Sequence, residues 1–432
     1  NDGNGNTSGH VRVYKNVNNT WTQVGEDIDG ESTSDQSGES VVLSNDGSIL
    51  AISAKFNDGN GSESGHVRVY KNVNNTWTKI GEDIDGEASN DKSGESIALS
   101  ADGSILAIGA SQNDGNGTRS GHVRVYKNVN DTWTKIGEDI DGESSTDQLG
   151  ESVSLSADGS ILAIGASQND GNGTDSGHVR VYKNVNNTWT KIGEDIDGES
   201  AGDRSGLSVS LSGDGSVLAI GATANNGNGT ESGHVRVYKN VNDTWTKVGE
   251  DIDGEAANDQ SGCSINLSND GSIIAIGAKG NSGNKLNSGH VRVYKNVNNT
   301  WTQVGSDIDG PGLNDWSATS ISLSDNGSIL AIGAPSNDDN GSDSGQVRVY
   351  RLSSDSNQTP TAIALSGTSF NENIAGGSTV ATMSTTDPDS SDTHTYSLIN
   401  GSGDSDNSFF TIDGSSLKIN SSPDYETKST YQ

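Results

Sequence analysis

His10, His66, His122, His178, His234 and His290 stand 56 residues apart, and Gln346 holds the seventh position. Around the six histidines the chain reads SGHVRVYKNVN-x-TWT almost without change. A fixed period of this size, with no helical pattern inside it, points to a stacked or closed β array. Function must then be argued for a set of equivalent units rather than for one pocket.

Each unit contains four strand candidates. In the first full copy they are Val41–Ser44, Ile49–Ala54, His66–Lys71 and about Trp77–Gly81. Asn45-Asp46-Gly47 makes a tight hairpin between the first two. Ile49–Ala54 is nearly all apolar and is expected to be buried on both faces. In the third strand Val67 and Val69 face one way, and His66, Arg68 and Tyr70 the other. Four antiparallel strands form one propeller blade, and a lone blade cannot bury both its faces. The position after Val41 is filled by Val42, Ala98, Ser154, Ser210, Asn266 and Ser322, residues small enough for a crowded inner strand. Trp77 and its copies are placed between blades as packing anchors.

Strand counts bear on closure. VRVY occurs seven times, whereas the first, second and Trp-bearing strands occur six times each. After Tyr350 the repeat stops. The expected fold is all-β: a seven-bladed β-propeller closed by N-terminal strands, with a six-bladed ring as runner-up. The propeller spans residues 1–352 and a linker 353–358. Residues 359–432 read as a β-sandwich of immunoglobulin-like type, C-terminally incomplete. Its strand candidates are Ala362–Leu365, Thr379–Ser384, Thr395–Ile399, Phe409–Ile412 and Leu417–Ile419. NDGNGNTSGH at the start matches 57–66, so the chain opens in mid-repeat, as expected of a piece of a longer precursor.

The chain carries 26 basic and 59 acidic residues, a formal net charge of −33. Such a surface repels nucleic acid and anionic lipid and suits a divalent cation or a salty medium. No apolar run is long enough for a membrane helix. A single cysteine, Cys263, excludes an internal disulfide frame and reads as a chance substitution.

No linear motif for a nucleophile elbow, a metalloprotease helix or a phosphate loop is present, so the sequence expectation is that the chain is not an enzyme. The histidines share one strand slot. They are expected to stack beside arginine and tyrosine, one blade apart and too distant to meet at a metal. The acidic turn Glu82-Asp83-Ile84-Asp85-Gly86-Glu87 recurs with the same spacing, the last copy reading Ser306-Asp307-Ile308-Asp309-Gly310-Pro311. Alternating carboxylates ahead of a glycine turn are candidate calcium ligands: Asp27 and Asp29, Asp83 and Asp85, Asp139 and Asp141, Asp195 and Asp197, Asp251 and Asp253, Asp307 and Asp309. Asp91 is a further candidate, as is the Asx/Gly loop 57–61.

Two resemblances follow from these residues. The segment GDRSGLSVSLSGDGSVLAIGA at 202–222, followed by SGHVRVY, resembles the FG-GAP repeat of integrin-type propellers, and Gly333-Ala334-Pro335 reproduces its GAP element. Ser37-Gly38 stands where the family has Phe-Gly, and the turn Asn45-Asp46-Gly47 is too short for that family's calcium loop. The tail is similar to cadherin-like repeats of bacterial surface proteins through Asn371-Glu372-Asn373, Asp387-Pro388-Asp389 and Asp424-Tyr425-Glu426. That resemblance implies calcium ligands at Glu372, Asp387, Asp389 and Glu426. Together they imply a secreted, extracellular or cell-surface adhesive protein of bacterial type, held by Ca2+ and building a layer, filament or matrix. Its partners would be other protein chains or surface polysaccharide, or further copies in a homopolymer formed by strand exchange. A lectin-like propeller and a non-catalytic part of a larger polymer-degrading enzyme are the alternatives.

Overall fold

The structure is a computed structural model and describes residues 3–352, 360–387, 394–399 and 405–431. The chain divides into two compact units, Asn1–Leu352 and Ser353–Gln432. The expected linker at 353–358 lies outside the described residues.

The first unit is an all-β propeller. Its repeated sheet runs, in one copy, through Ser152–Leu155, Ile161–Ala166, His178–Val185 and Thr188–Lys191 in meander order. A fifth, two-residue strand, Ile196–Asp197, pairs back onto the third, with His178 opposite Asp197. The sequence reading placed that stretch in a loop. Its dipeptide is too short to show a period of two, and only pairing with the histidine strand makes it a strand. Five sheets of this five-stranded form are described. They are joined by a three-stranded sheet, Ser320–Leu323, Ile329–Ala334 and Gln346–Arg351. Short N-terminal strands, His10–Val11 with Ile28–Asp29 and Tyr14–Val17 with Thr20–Gln23, carry only the outer part of a blade.

The inner hairpins are tied in series. The backbone N–H of Asn45 donates to Ala101, Ala101 to Ala157, Ala157 to Gly213, Gly213 to Asn269, and Asn269 to Asp325, all at 2.8–2.9 Å. The Asn45 Nδ2 then meets Asp325 Oδ2 at 2.7 Å, joining the last hairpin to the first. The second strand supplies the core: Leu162 and Ile164 are fully buried against Val123, Val125 and Leu149 of the preceding blade and its loop. Trp189 from the following strand lies on that same cluster, and Trp133 and Trp245 repeat the contact on theirs.

Burial fails at the two ends of the array. Val67 in the third strand is 0 % exposed, but its counterpart Val347 is 70 % exposed. In the first strand Ile97 is 8 % exposed and Val41 50 %. The interior copies are covered by a neighbouring blade on both faces, and the end copies on one.

In the second unit, Ala362–Leu365, Thr379–Thr386, Ser416–Ile419 and Phe410–Asp413 form one four-stranded antiparallel sheet. Residues 394–399 carry no strand, although Thr395–Ile399 was expected to. A single sheet among the described residues stands where a two-layered sandwich was expected. Phe370, Phe409, Phe410 and Tyr431 cluster beside it, at 5.4–6.3 Å between ring centres.

Equivalent repeat positions should therefore differ in their effect on stability. Val179→Ala, at a fully buried site, is expected to cost about 2 kcal/mol or more. Val347→Ala should stay within about 0.5 kcal/mol. Urea unfolding of the two variants beside the parent chain checks this; equal losses would contradict the burial gradient.

Candidate functional site

The acidic turn is held from three sides. The fifth strand fixes Asp85 opposite His66, and Ile84 between the carboxylates is buried. Gly86 follows because a Cβ there would meet the Ser64 carbonyl oxygen at 2.0 Å. From the same blade, Asn60 Nδ2 donates to the carbonyls of Gly86 and Glu87. From the next blade, Arg124 donates through Nη2 to the Asp85 carbonyl at 2.7 Å and approaches Glu87 with Nη1 at 3.6 Å. The clasp recurs from Arg68, Arg180, Arg236, Arg292 and Arg348. Each of these arginines also lies over the tyrosine two residues on, at 5.6–5.9 Å.

This places the next blade's histidine between two turns. Glu87 from one turn, His122 from the following blade and Asp139 from that blade's own turn bring ligand atoms within 4.8 Å of one another. The same triplet forms from Glu31, His66 and Asp83; Glu143, His178 and Asp195; Glu199, His234 and Asp251; and Glu255, His290 and Asp307. Among the described residues these five are the clusters of this kind, and all lie in the first unit.

The imidazoles are deeply buried, with His122 2 % exposed. Nδ1 faces the carboxylates at 3.8–4.0 Å, beyond hydrogen-bond reach. Nε2 of His122, His178, His234 and His290 has no hydrogen-bond partner. Burial, and then the adjacent guanidinium, pulls His122 and His178 down to about 4 and lowers His66, His234 and His290 in the same direction. These rings are neutral at physiological pH.

The carboxylates divide their two oxygens. Asp195 Oδ1 accepts from Lys191 at 2.6 Å, and its Oδ2 turns to His178 Nδ1 at 3.9 Å. Glu255 gives Oε1 to Arg292 and Oε2 to His290. Asp83 and Asp139 take the same lysine contact, and Asp27 and Asp307 take a glutamine instead. Asp85, Asp197 and Asp253 approach the imidazole with Oδ1 at 4.0 Å. Burial, and then the neighbouring Asp139 and Asp195, push Asp141 and Asp197 upward from the ordinary carboxylate value.

Shallow clefts lie between the acidic turn and the next blade's tryptophan. Three are about 290, 430 and 410 Å³. The first is lined by Glu250, Asp251, Asp253, Tyr294, Thr300 and Trp301. Trp77 and Trp301 donate Nε1 to Val24 and Val248 of the preceding copy at 3.0 and 3.1 Å.

Several sequence expectations are thereby corrected. The histidines do not merely stack: the five from His66 to His290 each meet two carboxylates. The signal was available in the spacings, Glu 35 residues before and Asp 17 residues after each of these five. Spacings of that length carry no meaning until the blade junction brings them together. Asp91 also has a structural role: its Oδ2 accepts from the Ala88 N–H and from Asn113 Nδ2 in a buried turn. In the loop 57–61, Asn57 Oδ1 accepts from Gly59 N–H, and its Nδ2 donates to Asp35. In the tail, Glu372 lines a hollow of about 640 Å³ with Phe370, Leu398 and Tyr431. Asp387 lies 3.7 Å from His394, Glu426 is exposed beside the Asp424 turn, and Asp389 lies outside the described residues.

Residues 140–182, one copy from its fifth strand to the next third strand, match the FG-GAP repeat. No curated protein is similar in sequence. Among solved structures, the periplasmic gluconolactonase PpgL of Pseudomonas aeruginosa is similar at 14% identity and TM-score 0.51, covering 79% of this chain and 87% of that one. A Bacteroides fragilis chain assigned as a 6-phosphogluconolactonase is similar at 13% identity and TM-score 0.49, covering 76% and 83%. Hydrazine synthase of Kuenenia stuttgartiensis gives 16% identity and TM-score 0.48, covering 72% and 76%. The first unit is an all-β propeller, and one copy of its repeat, residues 140–182, matches the FG-GAP repeat. The expectation that it is not an enzyme is overturned, because a fold of this kind carries a gluconolactonase at comparable chain coverage. A propeller can assemble a site from loops of separate blades, which no linear motif records. No helix is long and apolar enough to cross a membrane.

The buried histidines give a pH dependence with a definite sign. An unfolded imidazole protonates near pH 6.5, whereas folded His122 and His178 hold out to about 4. As pH falls from 6.5 to 4 the unfolded chain takes up protons that the folded chain cannot, so stability is lost across that window. Each such histidine contributes about 3 kcal/mol to the loss. Melting between pH 7.5 and 4 with a chelator present should show the decline, flattened in His122→Gln. An unchanged pH profile in that variant would contradict it.

Proposed function

We propose that this protein is an extracellular adhesive or structural surface protein. Its propeller engages surface polysaccharide or neighbouring protein chains through many equivalent sites. The observation that carries this reading is repetition of one cleft, carboxylates on one wall and tyrosine and tryptophan on the other, from blade to blade. Aromatic faces take the apolar side of a sugar ring and carboxylates accept its hydroxyls. Weak sites in series on a rigid scaffold bind a repeating ligand far more tightly than any one of them.

The FG-GAP-like repeats favour an extracellular setting. The tail belongs to this reading as a cadherin-like spacer, with calcium held by Glu372, Asp387, Asp389 and Glu426. Seven blades also belong to it. Val41 and Val347 at the ends of the array are exposed, and a seventh inner hairpin, supplied by this polypeptide or, by strand exchange, by a second copy, would cover them in place of the Asn45–Asp325 contact.

Binding to immobilised acidic and neutral polysaccharides tests the reading. The parent chain should bind at least one class, and Trp245→Ala with Trp301→Ala should weaken it about tenfold or more, because two of the linked clefts are lost together. Binding to none, or unchanged binding in the double variant, would remove the polysaccharide reading. Millimolar calcium should raise the melting midpoint over EDTA at matched ionic strength, by about 2.7 kcal/mol at a hundredfold excess over Kd. Equal midpoints would exclude a structural calcium.

A further inference from the structure

We propose that the five His–Glu–Asp clusters at the blade junctions bind divalent cations of the zinc class, one per junction. Two separate observations meet at each cluster. The first is donor type and spacing: an imidazole nitrogen and two carboxylates within 4.8 Å. The second is the imidazole itself. It is buried to within 2 % of completely, and Nε2 is unpartnered in four copies. Its Nδ1 faces two carboxylate oxygens too far away for hydrogen bonds, as with Glu255 Oε2 at 3.8 Å and Asp307 Oδ2 at 3.9 Å from His290. A ring with no hydrogen bond at either nitrogen is costly to bury; a metal bond to Nδ1 would supply the partner missing on the carboxylate side, while Nε2 would keep its proton and stay unpaired.

The donor set selects the cation. Calcium takes six to eight oxygens and seldom an imidazole, whereas zinc takes three protein donors and keeps a fourth position for water. Bonds of about 2.1 Å place tetrahedral donor atoms about 3.4 Å apart, so at His290 the two carboxylate oxygens, at 3.8 and 3.9 Å, would close by about 0.5 Å toward the imidazole. Two carboxylates balance the charge of the ion. The oxygen of each carboxylate that would not bind is already held, Glu87 by Arg124 and Asp139 by Lys135, the outer contacts that orient metal ligands. Each ion would join a turn of one blade to the histidine strand of the next.

The repeat supplies its own controls. At the seventh position Gln346 replaces histidine, and Pro311 stands where the glutamate would be, so both donors are lost together. At the fifth cluster Gln303 replaces lysine on Asp307, which leaves that site one positive charge poorer. It is therefore the tightest of the five.

The test uses the full chain, stripped with a chelator and dialysed. Calorimetric titration with Zn2+ should show about five equivalents, matching the five clusters, and Co2+ should give the strong visible absorption of a four-coordinate nitrogen–oxygen site. Millimolar Ca2+ should not displace either ion. His290→Gln, which places there the residue the chain already carries at 346, should abolish one equivalent, the tightest. Glu255→Gln should weaken that step at least tenfold with the circular dichroism unchanged, and it carries the test if the histidine variant does not fold. Uptake below one equivalent, or a stoichiometry and affinity indifferent to Glu255→Gln, would overturn the assignment. Polysaccharide binding is read separately, so failure here leaves the adhesive reading standing.

Discussion

The propeller depends on one contact made over and over: the arginine of each third strand donating to the backbone carbonyl of the preceding blade's acidic turn. Stacked blades bury apolar faces, but apolar burial alone does not fix how far one blade turns against the next. The arginine does, because its planar fork has a set geometry and its other nitrogen pairs with the turn's glutamate. Buried between a tyrosine ring and the next strand, the guanidinium cannot be replaced by lysine without loss of both the stack and the fork.

That clasp explains how a chain of charge −33 tolerates carboxylates packed at every junction. The acidic turns are brought close by backbone constraints and then partly neutralised on site, by arginine from one side and lysine from the other. The exposed pairs add little stability individually. Their effect is positional: each leaves one carboxylate oxygen directed at a neutral, buried imidazole. The same junction thus holds the blade angle, the cleft beside the tryptophan and the candidate cation site.

Near-identity of the repeats makes their departures informative. Val347 and Val67 occupy one slot with opposite exposures, because one has a blade in front of it and the other does not. Gln346 with Pro311, and Gln303 in place of lysine, alter a junction's chemistry without altering its backbone.

Much of the scaffold was legible from the sequence. The 56-residue period, the alternation in VRVY and the Asn-Asp-Gly hairpin located the second strand, Ile49–Ala54, to the residue and the other three to within a few. Such signals are local: side-chain alternation and turn chemistry act over two to eight residues, and duplication repeats them. The fifth strand, the arginine clasp and the His–Glu–Asp clusters were not legible. Their partners lie 17 to 39 residues apart in the chain, and for the clasp and the clusters they come from two blades. Nothing in local propensity distinguishes Glu87, which reaches His122, from Glu82, which does not. Only the stacking angle between blades decides which carboxylate meets which imidazole, and that angle is a property of the packed array.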